Sequence, residues 1–303
     1  MKIENINDFN KSELIQAIND HWKQNHILFK NSKIFDLQHK HDNGYSFLTL
    51  RENNQIKSFL GYIYSNSNKN SFWLAIWKSI DSGIGGLYLL LYLNQNNPEF
   101  IGAIGISEFT KNITRKLGWT LGVMSHYYIS TENILNLKSL NSTSTNEQFY
   151  EFNDEIDLAS LKLNLEIMPY KDRMYYEKRF LKHPVFKYKY LSINSLIFIG
   201  RIVEYQDLKV FHVVDVIGDL KNVKLKSPLS HFLKKEKIDL FEMMYYDSRQ
   251  IKIDLFLKLS NDIIPTYFDP FELKNINIEL TYKANTELPV RFFLGDGDQD
   301  RPN

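Results

Sequence analysis

The sequence predicts a mixed α/β protein built as two related halves, and three observations carry that prediction. At Ser71 to Asn94 (SFWLAIWKSIDSGIGGLYLLLYLN) an aromatic and β-branched run passes through a glycine-rich turn into a segment with leucines and tyrosines on every side. That is the pattern of a buried strand leading into a buried helix. After residue 170 a helix, strands, a glycine, a helix and a strand recur in the same order. Between the two series lies NLKSLNSTSTN (Asn136 to Asn146), polar and without periodicity, which reads as a linker. The boundaries that follow are residues 1–135, a linker at 136–148, and a second domain at 149–303.

Taken in order, Lys11 to Phe29 places Leu14, Ile15, Ile18 and Trp22 near a period of 3.6, predicting an amphipathic helix with Asn10 or Ser12 as its cap. Tyr45 to Arg51 and Ile56 to Tyr64, separated by ENNQ, read as a β-hairpin. The run Phe72 to Trp77 is the next strand, and Leu87 to Leu93 the helix after the turn. Phe100 to Ile106 has the length of a strand, Ser107 is an N-cap, Glu108 to Leu117 a helix closed by Gly118, and Leu121 to Ile129 a last strand. In the second half a charged, aromatic helix at Lys171 to Leu181 leads into strands at Tyr190 to Ile202 and Lys209 to Val216. After Gly218 come a helix at Pro228 to Lys237, a strand at Ile238 to Tyr246, and a final strand at Arg291 to Leu294 that would anchor the tail GDGDQDRPN.

Composition removes several classes of function. A net charge of +1 gives no electrostatic reason to expect a nucleic acid or an anionic membrane as partner. The absence of cysteine excludes disulfides, thiolate metal sites and a cysteine nucleophile. No apolar run is long enough to span a bilayer, and the polar, acid-interrupted start MKIENINDFN is unlike a signal peptide, so the expected location is the cytoplasm. Asp296, Asp298 and Asp300 are spaced as in a calcium loop but lack the closing glutamate, so no metal is expected.

A strand that stops at glycines and restarts as a helix gathers free backbone N–H groups at the positive helix end, which suits a phosphate. Gly83, Gly85 and Gly86 allow the sharp turn and the close approach. The second half's turn, VIGDLKNVKLKSPL, lacks clustered glycines and carries an acid, so it is not expected to hold a pyrophosphate.

With these elements in place, SGIGG (Ser82 to Gly86), the strand FIGAIGIS and the helix end ITRKLGW (Ile113 to Trp119) resemble the GNAT superfamily of acyl-CoA-dependent N-acyltransferases. WKSIDSG, GRIVEYQDLKVFHVVDVIGD (Gly200 to Asp219) and GDGDQDRPN are similar to two-domain proteins of that type found in bacterial surface-polysaccharide gene clusters. The resemblance implies two tandem GNAT-like domains, the second degenerate, with acyl-CoA, acetyl-CoA above all, as co-substrate. It implies an acceptor amine on a nucleotide-linked amino sugar, and leaves homodimer formation open. It also implies that pantetheine lies between two splayed strands, along the backbone of Ile76, Trp77 and Lys78, with the N–H groups of Gly83, Ile84, Gly85 and Gly86 on the pyrophosphate. Two positions depart from the pattern: Ile80 stands where the superfamily has Gln or Arg, and Thr114 where it often has the tyrosine that protonates the leaving thiolate.

Acyl transfer also needs a base, and histidine is the side chain already suited to it. His39, before the first hairpin strand, and His126, inside the otherwise apolar strand SHYYIS, are the candidates. Tyr127 stands as a replacement acid, and Tyr128, Arg201 and Asp215 as acceptor-binding residues. Two other readings remain at this stage: a non-catalytic GNAT-like binding module in a polysaccharide assembly pathway, and a paired-GNAT enzyme that transfers an aminoacyl group from tRNA, against which the near-neutral charge argues.

Overall fold

The computed structural model describes residues 1–42, 44–81, 83–130, 132, 134–135, 137–139, 150–161, 163–260, 262–265, 273–274, 277–298 and 300. The first half opens with β1 (Lys2–Ile6), α1 (Lys11–His21), α2 (Ile27–Lys30), α3 (Ser32–His39) and the short β2 (Lys40–His41). Then come β3 (Gly44–Glu52), β4 (Gln55–Tyr64), β5 (Ser71–Ser79), α4 (Gly85–Gln95), β6 (Phe100–Ile104), α5 (Glu108–Lys116), β7 (Thr120–Val123) and β8 (Ser125–Ser130).

Local chemistry explains most of these boundaries. The β3–β4 hairpin turns on Asn53 and Asn54, both at positive φ (50° and 64°), a conformation that asparagine tolerates and most residues do not. Ser107 caps α5 by accepting from the Thr110 N–H, and Gly118 at φ 76° closes it, both as the sequence suggested. The helix expected over 11–29 instead stops at His21, and Asn25 at φ 56° turns the chain. Asn10 does not cap α1, because its side chain accepts from the Asn7 N–H at 2.7 Å. The unforeseen α3 is capped by Asn31, which accepts from the N–H groups of Lys33 and Ile34, and it buries Ile34, Phe35, Gln38 and His39.

The second half contains β9 (Glu151–Asn153), α6 (Arg173–Tyr176) continuing into a π-helical turn (Glu177–Leu181), β10 (Lys189–Ile193), β11 (Leu196–Tyr205) and β12 (Leu208–Ile217). After these come α7 (Lys226–Glu236), β13 (Leu240–Asp247), β14 (Phe256–Leu257), the small pair β15 (Ile264–Pro265) and β16 (Leu273–Lys274), β17 (Glu279–Ala284) and β18 (Arg291–Phe293). The single strand expected at 190–202 is a tight hairpin, β10 and β11, turning at Asn194 with φ 56°.

Two mixed sheets result. The first has the order β1-β3-β4-β5-β6-β17-β7, with β2 on β3, and the second β14-β8-β13-β12-β11-β10-β9, with β18 also on β13. The halves therefore exchange strands. β17 enters the first sheet between β6 and β7, while the strand expected at 121–129 breaks at Met124 so that β8 pairs with β13 and β14 in the second. The expected boundary at residue 135 thus corrects to an interleaved one, with residues 125–130 in the second sheet and 279–284 in the first. Of the linker expected at 136–148, residues 136 and 140–148 lie outside the described residues, and Leu137 is buried against Tyr128, Val210 and Leu240.

On one face of the first sheet α4 packs Leu89, Leu90 and Leu93 over Leu48, Leu60 and Leu74; elsewhere Ile18 and Phe35 of the N-terminal helices cover Phe47, Phe59 and Ile76. A third cluster is shared by both sheets, with Trp73, Phe100 and Leu280 from the first and Tyr190, Val214 and Phe292 from the second. Each fully buried side chain of this size contributes about 1.5–3 kcal/mol through the hydrophobic effect, so the shared cluster joins the halves firmly. No helix among the described residues is long and apolar enough to cross a membrane.

Candidate functional site

β5 has two neighbours and treats them differently. It pairs antiparallel with β4 as far as Ser58↔Ser79, but runs parallel with β6 only over Ser71↔Phe100, Phe72↔Ile101 and Trp73↔Gly102. β6 then ends, and the N–H groups of Gly105 and Ile106 turn to the carbonyl of Glu279 on β17. From Leu74 to Ser79 the edge of β5 that faces β6 is left open among the described residues. It also carries an extra residue: Leu60 stands opposite Trp77 and Tyr62 opposite Leu74, so Ala75 and Ile76 share the single partner Gly61. Such a bulge re-aims the backbone, and an unpaired strand edge is a template for any strand-shaped ligand. The slot runs from the bulge toward the glycine turn.

At the turn the three glycines do different work. A Cβ at Gly85 would lie 2.2 Å from Ser58 Oγ, and one at Gly86 2.4 Å from Trp77 Nε1, so these two let α4 settle against the sheet. A Cβ at Gly83 would meet nothing within 4 Å. The N-cap residue Ile84, 62% exposed, supplies no side-chain cap, but Ser79 Oγ accepts from the Gly86 N–H at 2.9 Å, so of the N–H groups expected on a pyrophosphate that of Gly86 is already engaged. The first turn of a helix leaves N–H groups without intrahelical partners, and together with the dipole they attract an anion. Of the strand residues expected here, Trp77 and Lys78 are half-buried, whereas the Ile76 side chain is buried in the core beside Phe59 and leaves only its backbone for a ligand.

A second feature lies one strand away. Where α3, the ends of β3 and β4, and the α6 region meet, a cavity of about 290 Å³ is lined by Gln38, His39, Asn66, Tyr175, Lys178 and Arg179 among others. His39 is buried, its ring against Phe47, with Nδ1 3.1 Å from the Tyr62 carbonyl and 3.2 Å from Ser46 Oγ. A carbonyl only accepts, so Nδ1 carries the proton and Nε2 is the basic nitrogen. Tyr62 pairs with Leu74, the residue at which the β5 edge opens. His39 therefore stands behind the inner end of the slot. Burial, helped by the Lys69 charge, lowers the pKa of neighbouring His41, and burial likewise lowers that of Lys178, whose Nζ donates to the Lys40 carbonyl at 3.0 Å.

The other expected site residues are elsewhere. His126, Tyr127 and Tyr128 lie on β8 in the second sheet, and β6 and β17 stand between β5 and the strand that precedes β8. His126 Nε2 is 2.6 Å from Glu242 Oε2, and His212 Nδ1 contacts the other carboxylate oxygen of the same glutamate. Tyr128 is fully buried, its hydroxyl accepting from the Lys138 N–H, and Tyr127 packs its ring against Tyr245. Arg201 and Asp215 are buried. Arg201 pairs with Asp300 at 2.7 Å and stacks on Phe186, while Asp215 pairs with Lys171 at 2.7 Å.

Lys171 also holds Asp296 at 2.6 Å, and Tyr188 donates to Asp300 at 2.5 Å. Asp296 and Asp300 of the GDGDQD tail are thus core ion-pair partners, and Arg301 lies outside the described residues. Thr114 is fully buried and its hydroxyl donates to the Thr110 carbonyl, which leaves it no role toward a thiolate. The cavity residues Gln38, Asn66, Tyr175, Lys178 and Arg179 escaped sequence reasoning. The one signal, for Tyr175, Lys178 and Arg179, was the density of charge and tyrosine in DRMYYEKR, a segment read simply as a helix.

No family model matches the sequence, and no curated protein matches it. Solved structures do match by shape. A conserved protein of Enterococcus faecalis V583, described as a probable N-acyltransferase, superposes with a TM-score of 0.58 at 11% identity, over 93% of this chain and 72% of its own. A GCN5-related N-acetyltransferase from Anabaena variabilis gives 0.55 at 10% identity over the same shares, and Eis1 from Mycobacterium abscessus 0.50 at 9% identity, over 80% of this chain and 65% of its own. At such identities the likeness is one of fold. The chain has the GNAT fold, in tandem, through both halves.

Proposed function

We propose that this chain is an acyl-CoA-dependent N-acyltransferase that acylates the amino group of a small acceptor, an amino sugar in nucleotide-linked form. The observation that carries the reading is the open β5 edge from Leu74 to Ser79 ending at the start of α4, whose N-cap residue Ile84 supplies no side-chain cap. A pantetheine arm is extended and amide-bearing and matches a strand edge, and a pyrophosphate matches the N-terminus of α4, where Ser79 Oγ holds the Gly86 N–H. The thioester end would then lie by the bulge, where an N–H of the open edge is the donor available to the carbonyl oxygen. His39, behind Tyr62, is the base that takes the proton as the amine attacks. The new C–N bond forms, the C–S bond breaks, and CoA leaves as its thiolate.

One observation favours a second reading, that of a binding module without turnover. Thr114 is sealed in its helix and Tyr127 is on the other sheet, so the expected acid is missing from the slot. The two readings part in one experiment. Acetyl-CoA should raise the melting temperature of the protein, and the rise should vanish in Gly83→Glu; release of free thiol over a panel of amino sugars and nucleotide-linked amino sugars should accompany the first reading alone. No thermal response to any acyl-CoA would overturn both.

A further inference from the structure

The cavity between the halves holds more unsatisfied polarity than a core tolerates. Gln38, Asn66, Tyr175 and Arg179 are 5%, 6%, 8% and 4% exposed. Among the described residues, both amide atoms of Gln38, the Asn66 Oδ1, the Tyr175 hydroxyl and the Arg179 Nε and Nη1 have no hydrogen-bond partner. An unmade hydrogen bond on a buried group costs about 1–3 kcal/mol, more on a charge. Four such residues lining one cavity, two from each half, indicate a molecule that completes them.

The charges define that molecule further. Both carboxylates at the wall are engaged: Asp42 pairs with Lys69 at 2.9 Å, and Asp172 accepts from the Ser67 N–H at 2.7 Å, the Ser67 hydroxyl at 2.6 Å and the Tyr175 N–H at 2.8 Å. The two cations from the π-helical turn are not neutralised in this way. Lys178 donates only to the Lys40 carbonyl and Arg179 only to the Gly295 carbonyl, at 3.2 Å; neither is in an ion pair among the described residues, though Asp36 and Asp42 act on Lys178, and Asp300 and Asp298 on Arg179, without direct contact. A guanidinium offers its planar edge to an oxyanion, and the amide and phenol groups suit hydroxyl or amide neighbours. From the cavity an open groove past Ser67, Asp172 and Met174 gives a way in.

We infer that this cavity is the acceptor-recognition site and that it selects acceptors bearing a compact oxyanion, a phosphate or a carboxylate, on a hydroxyl- or amide-rich scaffold. The word acceptor rests on the acyltransferase reading; the anion site does not. The test is calorimetric titration of the full-length protein with glucosamine 6-phosphate, galacturonic acid and glucose, beside the acetyl-CoA thermal response. At least one anionic probe should bind and glucose should not, and which of the two anions binds identifies the source of charge.

Affinity should fall at least tenfold in Lys178→Met and in Arg179→Lys, with the acetyl-CoA response intact as a control of folding. Should Arg179→Lys unfold the protein, Lys178→Met, at an exposed residue, decides the matter. Absence of binding by both anions, or binding unchanged in these variants, overturns the proposal. Lysine-dependent and arginine-dependent anion binding in a protein that ignores every acyl-CoA upholds the anion site while the acyltransferase reading fails.

Discussion

In the first half β5 runs beside β6 for three residue pairs and parts from it; in the second half β12 runs beside β13 from Val210↔Leu240 to Val213↔Met243 and parts in the same way. Both carry a bulge just past the parting point, two residues of β5 against Gly61 and the extra residue Val214 on β12. The difference is what lies in the gap. In the second half β18 pairs with the end of β13, the Gly295 N–H donates to the carbonyl of the bulged Val214 at 2.7 Å, and Arg291 donates to the carbonyls of Val216 and Gly218. The chain's own C-terminal strand fills that slot. In the first half nothing among the described residues does so. Backbone polar groups in a gap between strands need partners, and the filled slot indicates what the open one requires: an extended, amide-bearing occupant from outside.

This contrast can be broken or sharpened by experiment. The largest effect should come from the device that seats the tail in the second half. Lys171→Met leaves Asp215 and Asp296 buried without their cation and should cost about 3–5 kcal/mol in urea denaturation; a cost below 1 kcal/mol would mean that the tail is not held by this pair. Burial, reinforced by Asp215, already pushes the Asp296 carboxyl above its ordinary range despite Lys171.

Next come the histidines. His39→Ala should lower thiol release by about 10²–10⁴-fold with the acetyl-CoA thermal response retained, whereas His126→Ala should leave turnover alone and reduce stability. Equal loss of turnover in both would place the base elsewhere.

The turn glycines should separate by kind. Gly218, at φ 110° with a Cβ position 2.8 Å from the Ser195 carbonyl, should cost about 1–3 kcal/mol when replaced by alanine. Gly83→Glu should stay within about 0.5 kcal/mol of the parent and yet abolish the acyl-CoA response.

The smallest effect concerns acid. Burial alone would raise the Glu242 carboxyl, but His212 and His126 outweigh it and bring it to about 2, below its ordinary value of 4.5. The folded state therefore binds this proton more weakly than the unfolded chain does. Its contribution to stability is whole above pH 4.5 and is lost as the pH falls toward 2. His126→Gln should flatten that acid limb of a stability-against-pH curve.

What was legible in the sequence was local. The run FWLAIW, the glycines and the leucine-rich segment announce strand, turn and helix because each preference acts within a few residues, and Ser107 and Gly118 mark α5 for the same reason. What escaped depends on distant partners. The polar SHYY in an apolar strand reads as a wet pocket, yet His126 is explained by Glu242, 116 residues away. Arg201 and Asp215 read as site residues because a lone charge in a strand asks for a ligand; theirs are Asp300 and Lys171, supplied by segments whose packing no local pattern encodes. The cavity was hidden likewise, since Gln38 and Asn66 come from one half and Tyr175 and Arg179 from the other.

The exchange of β8 and β17 has a consequence for how the molecule can be divided. Cut in the chain between residues 140 and 149, the two pieces would each carry one strand that belongs in the other's sheet and lack one of their own. Neither should be soluble and native when expressed alone, and co-expression should restore a single complex by mutual complementation, as with a reporter split inside its fold. The presence of both halves together, in such an arrangement, is a condition of folding.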